Sequence, residues 1–172
     1  MEQHSHSRPF NQPLELGLRA LYVLDALGTD RVDIQRLLFL DYLLVHSSDV
    51  QDGPPSLHAA VPYRSGEWLA HRQSLEKGLA MFTAKELLNK DFSAAGILYS
   101  ASELTRPFIS HLGSVYSSAL TERAKWLVAK YGTATMEELS SFFLANIFTW
   151  GSEVKEQASV RSKYISDDSE WI

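Results

Sequence analysis

The densest run of chemically capable side chains lies between Asp41 and Arg72, in DYLLVHSSDVQDGPPSLHAAVPYRSGEWLAHR. A chain folded back here gathers Asp41, His46, Asp49, His58, Arg64, Glu67 and His71. Two chemistries suit such a set: acid–base catalysis by imidazole and carboxylate, and metal ligation by His nitrogen and carboxylate oxygen. Their spacings match neither a ligand pattern nor a catalytic one. His-Glu-x-x-His, Gly-x-Ser-x-Gly, the phosphate-binding Gly-x-x-x-x-Gly-Lys-Ser/Thr and the dinucleotide Gly-x-Gly-x-x-Gly are all missing. Cysteine is absent, which removes the thiolate nucleophile and the Cys-based zinc site. His4 and His6 stand in a polar leader without further ligands. The residues therefore predict no catalytic group, no metal and no cofactor; Asp, His and Arg serve instead to hydrogen-bond a loop backbone.

The elements around this stretch follow from its flanks. Leu14, Leu18, Leu21, Leu24 and Leu27 recur at helical steps, so a helix over 13–27 faces a core and stops at Gly28. Asp30 is placed to cap a second helix over 31–46, whose run IQRLLFLDYLLV is apolar on nearly every side. Asp41 inside that run needs a cation, for which Arg64 or Arg72 is available, or a partner contact, because an unpaired buried charge costs several kcal/mol. After His46 come turn residues and Pro54, Pro55 and Pro62, which favour an ordered loop. Ser65 then caps a third helix carrying Trp68, Leu69, Leu75, Leu79 and Phe82.

The segment LLNKDFSAAGILYSAS predicts a hairpin. Ser102 caps a fourth helix, ELTRPFISHL, in which Pro107 kinks the helix or delays its start. A fifth helix covers 114–131, and Thr135 with Glu138 forms a capping box for a sixth, rich in Phe142, Phe143, Phe148 and Trp150. So many aromatics predict a surface left for a partner.

The fold class is thus mainly α with a small β-hairpin, a winged-helix-like core plus a C-terminal helical extension. The expected divisions are a flexible leader at 1–12, the core at 13–102, the extension packed on it at 103–150, and a polar tail at 151–172. With 45% hydrophobic and 22% charged residues the chain has globular proportions. A net charge of -5 excludes a surface that coats nucleic acid throughout. Neither a secretory leader nor 18 consecutive apolar residues occur, so the expectation is a cytoplasmic protein without membrane contact.

The segments PFNQPLELGLRALYVLDAL, DYLLVHSSDV, PPSLHAAVPYRSGEW and GLAMFTAKELL resemble the middle component, or small subunit, of ABC-three-component systems, as in Lamassu-type bacterial anti-phage and anti-plasmid defence. The likeness covers about residues 9–130. It departs where Ala59-Ala60 replaces a proline expected just after Leu57-His58. The resemblance implies a non-enzymatic adaptor bridging an SMC- or Rad50-like ABC ATPase and a separate effector, commonly a nuclease, with DNA met indirectly through the complex. Partner contacts are expected at Asp41, His46, His58, Arg64, Glu67, Trp68, Phe143 and Trp150, and DNA contacts at Arg64, Arg72, Lys85 and Lys90. The alternative is a stand-alone winged-helix transcription regulator, reading DNA with the third helix.

Overall fold

The structure, a computed structural model, describes residues 12–59, 64–94 and 96–146, with the side chains of 64–70 excepted. Among these residues the order is α1 (Pro13–Leu27), α2 (Ile34–Val45), α3 (Arg64–Thr83), β1 (Leu88–Ser93), β2 (Gly96–Ala101), α4 (Thr105–Ser110), α5 (Val115–Tyr131) and α6 (Met136–Asn146). The chain is mainly helical with one two-stranded antiparallel hairpin, as the sequence pattern predicts.

α1 is the central element: it packs on α2, α3, α4, α5 and β2. Its buried residues run almost all round, with Leu16, Leu21 and Leu24 fully enclosed. The expected leucine stripe is wrong only at its start, since Leu14 is 56% exposed. α1 meets α3 at Gly17 and Gly78, where the backbones nearly touch. A Cβ on Gly17 would lie 2.7 Å from Phe82 Cδ2, and one on Gly78 would strike the carbonyl of Pro13. Only two glycines permit this crossing.

Asp33, not Asp30, caps α2: its Oδ1 accepts from Arg36 N at 2.8 Å. Residues 31–33 are extended instead, because Val32 exchanges backbone hydrogen bonds with Tyr99 at 3.0 and 2.8 Å and so adds a bridge to the hairpin. The strands pair from Leu88 with Ala101 to Phe92 with Ile97, burying Leu88 and Tyr99 and leaving Phe92 79% exposed. Element order and the Val32 bridge are compatible with a winged helix.

Of the two effects expected of Pro107, the structure has the delayed start: α4 begins two residues after Glu103. Thr105 opens it, so Pro107 falls in the first turn, where its missing N–H is no loss. Ser102 lies ahead of the helix, its Oγ accepting from Leu104 N and donating to Glu86 O. The Thr135–Glu138 capping box is present at α6, with bonds of 2.7 and 3.1 Å. Arg36 closes the other end of the α5–α6 turn, donating to the carbonyls of Tyr131, Gly132 and Ala134. α5 and α6 contribute Leu120, Ala124, Leu127, Leu139 and Phe143 to the same hydrophobic cluster as α1–α3. None of the described helices is long and apolar enough to cross a membrane.

Candidate functional site

Asp41 is buried, 5% exposed, and its partner is Arg19 of α1. The guanidinium binds both carboxylate oxygens, Nε to Oδ1 at 2.6 Å and Nη2 to Oδ2 at 2.8 Å, and donates from Nη1 to Glu15 at 3.0 Å. This fork-to-fork geometry is the strong form of a charged hydrogen bond. Burial on its own would depress the Arg19 pKa, but Asp41 and Glu15 outweigh it and hold the group above its ordinary range. The ion pair expected of Asp41 exists, with Arg19 in the place foreseen for Arg64 or Arg72. Arg72 is on the surface, bonded to Glu76 and Gln35.

His58 arrives at this pair from the loop after α2. Its Nε2 lies 2.9 Å from Tyr116 Oη on α5 and 3.5 Å from Glu15. Burial pushes the His58 pKa down, helped by the Arg19 charge and opposed by Glu15 and Asp41. The ring is therefore neutral near pH 7. Burial also raises the Tyr116 phenol to about 12, against the pull of the Arg19 positive charge. The Tyr116 hydroxyl and His58 Nε2 share one hydrogen bond, whose donor is set by the imidazole tautomer. The result joins α1, α2, α5 and the loop through five side chains, Glu15, Arg19, Asp41, His58 and Tyr116.

The loop backbone is fixed by the same region. Val45 O accepts from both Leu57 N and His58 N, at 2.9 and 3.1 Å. Ser48 and Ser56 hydroxyls meet at 2.6 Å, Tyr42 Oη donates to Asp49 at 2.6 Å, and Lys130 Nζ reaches Gln51 O at 3.0 Å. Asp52 takes φ 60°, a conformation that Asp tolerates in turns. His46 packs edge-on against His58, ring centroids 6.3 Å apart. The expected ordered loop is what the structure has over 46–59.

Of the residues named from sequence, the fold brings together Asp41, His46, Asp49 and His58 around the end of α2. His71 is half-buried on α3. Arg64, Glu67 and Trp68 belong to the start of α3, with side chains outside the described residues, and Trp150 lies outside them altogether. Phe143 is buried, its ring 4.4 Å from Phe39 and 5.3 Å from Tyr42. Asp41 and Phe143 are thus interior residues of this chain and offer no surface. Lys85 and Lys90 are exposed, with Lys90 Nζ 5.3 Å above the Phe92 ring.

Sequence reasoning missed Arg19, Glu15 and Tyr116. A signal existed: Arg19 occurs in a helix whose apolar residues surround it on every side, and Glu15 precedes it at the i, i+4 spacing. Among the described residues no group of three or more His, Asp or Glu could hold a metal ion.

The family model for ABC-three component (ABC-3C) system Middle Component 2 matches residues 9–153. No curated protein and no solved structure matches the chain.

Proposed function

The chain belongs to the Middle Component 2 family of ABC-three component systems, and we propose that it acts there as a non-catalytic adaptor. It bridges an SMC- or Rad50-like ABC ATPase to an effector, a nuclease, in a Lamassu-like bacterial defence complex in the cytoplasm. The observation that carries this reading, beyond family membership, is how the polar residues are used. Arg19, Asp41, His58 and Tyr116 face one another and the loop they support, so they hold a surface rather than meet a substrate. Apolar groups meanwhile stand outside: Phe92 is 79% exposed and Leu144 70%. Isolated exposed apolar residues are ordinary, but Phe92 and Ile97 are cross-strand partners at one hairpin end.

In this reading the hairpin end and the first turns of α3, with Arg64, Glu67 and Trp68, contact the partners. His46 and His58 shape the loop between them. Co-expression with an ABC ATPase and an effector of an ABC-three component system, followed by affinity purification, tests the role. A stable complex of the three components is expected, and a chain that elutes alone refutes it.

The alternative, a stand-alone DNA-reading regulator, draws support from the Val32–Tyr99 bridge and the hairpin after α3. Against it, the connection from α2 to α3 runs over 46–63, far longer than the three- or four-residue turn of a helix-turn-helix. Arg72 is engaged with Glu76 and Gln35, and the chain is acidic. Sequence-specific gel-shift at moderate salt, lost on changing Arg72 and Lys90 to Ala, would favour the regulator over the adaptor.

A further inference from the structure

One side of β1 is unused, and the register of the hairpin shows which backbone groups it presents. Tyr99 spends both of its backbone groups on Val32, donating to Val32 O at 2.8 Å and accepting from Val32 N at 3.0 Å. The N–H and C=O of one strand residue point to the same side, so Tyr99 exchanges neither with Lys90, the residue opposite it. The same alternation holds two residues on, where Phe92 faces Ile97. The N–H and C=O of Lys90 and of Phe92 therefore point away from β2, while Asn89 and Asp91 supply the ladder. β1 packs on β2 and α3, and Asn89, Lys90, Phe92 and Ser93 are exposed. Among the described residues nothing bonds the outward groups of Lys90 and Phe92.

The side chains on this edge restrict what can pair with it. Asp91 is engaged by Arg31 at 3.6 Å across the other face of the hairpin. Lys90 makes no ion pair among the described residues, and its Nζ lies 5.3 Å from the centre of the Phe92 ring. A lysine on an open edge guards against indiscriminate strand pairing. It also tells against a second copy of this chain, because antiparallel self-pairing centred on Lys90 or on Asp91 sets like charges face to face. The complement is a strand with a carboxylate opposite Lys90 and an apolar side chain opposite Phe92, two residues apart on one face.

We infer that the outer edge of β1 receives an extended segment of another component of the complex, added as a third full strand beside Lys90 and Phe92. The segment carries an acidic residue and an apolar residue at i and i+2. This rests on the adaptor reading and gives the hairpin its mode of contact: backbone hydrogen bonds supply affinity, and Lys90 and Phe92 supply selection.

The test is hydrogen exchange of the β1 amides, measured on the free chain and on the chain assembled with an ABC ATPase and an effector. In the free chain the Lys90 and Phe92 amides should exchange fast, and in the complex both should become protected. Two variants separate backbone from side chain. Lys90→Val removes the charge and keeps the N–H, whereas Lys90→Pro also removes the N–H, at an edge position where proline leaves the β1–β2 ladder intact. Both should retain the native melting transition, and Lys90→Pro should bind the partners about tenfold more weakly than Lys90→Val, the loss of one hydrogen bond. A complex that forms with both amides still exchanging fast overturns the inference and leaves the adaptor reading standing. So does a Lys90→Val loss equal to that of Lys90→Pro, which marks a contact of the ammonium alone, to phosphate or to a protein surface. Failure of any complex to form overturns both.

Discussion

Arg19 and Tyr22 lie three residues apart on one helix, and both are closed off from solvent. Arg19 engages Asp41 and Glu15 through three hydrogen bonds, whereas the Tyr22 hydroxyl has no partner among the described residues. The difference separates two uses of a buried polar group. Where the protein supplies every partner, the group is a fastener between elements; where it supplies none, the cost of desolvating the group goes uncompensated. α1 therefore carries both a satisfied polar cluster under the loop and, three residues on, an uncompensated hydroxyl.

Breaking the satisfied cluster should cost most. Asp41→Ala leaves the Arg19 charge buried without its carboxylate, and a loss of about 3–5 kcal/mol in urea unfolding is expected. Replacing both partners, Arg19→Met with Asp41→Leu, should recover most of that loss, because the pair's desolvation disappears with it. Next comes the crossing that brings α1 to its neighbours. Gly78→Ala places a methyl group against the Pro13 carbonyl and Gly17, with an expected loss of about 1–3 kcal/mol.

His58 gives a smaller, pH-dependent effect. Its pKa in the folded chain lies below the ordinary value, so as pH falls the unfolded chain takes up this proton first. The stabilisation is complete above the ordinary imidazole range and is lost as pH falls through about 6.5 and on toward the lower folded-state value. The groups facing the ring are Glu15 and Arg19 of α1, Asp41 of α2, Tyr116 of α5 and the His46 ring at the end of α2. Unfolding free energies measured from pH 7.5 down to 5.5 should decline less steeply in His58→Gln than in the native chain. Tyr22→Phe should change stability least, near zero or slightly upward, since it removes an unsatisfied hydroxyl and no contact. A loss of about 2 kcal/mol there would mean that the phenol is fastened after all.

Much of the fold was legible. The bounds of α1, the hairpin, the Thr135 capping box and the ordered loop follow from leucine spacing, turn residues and prolines, all of them local signals. The cap of α2 was misread because Asp30 and Asp33 carry the same chemistry, and only the Val32–Tyr99 bridge decides between them. The loop held the right residues, but their partners did not follow from it. Asp41 needed a cation, and the nearest in sequence were arginines downstream; Arg19, 22 residues upstream, is brought to it by packing. Likewise Tyr116 reaches His58 across 58 residues. The uncompensated Tyr22 hydroxyl left no trace in the sequence, since a tyrosine on an apolar helix face reads as core.

In the adaptor reading the buried cluster is scaffold and the partners meet other surfaces. The most direct test is co-purification of the Arg19→Met/Asp41→Leu chain with the ABC ATPase and effector, after its cooperative unfolding is verified. Wild-type recovery of the complex is expected with a chain that lacks both charges. A folded double variant that elutes alone, while the native chain assembles, would contradict it.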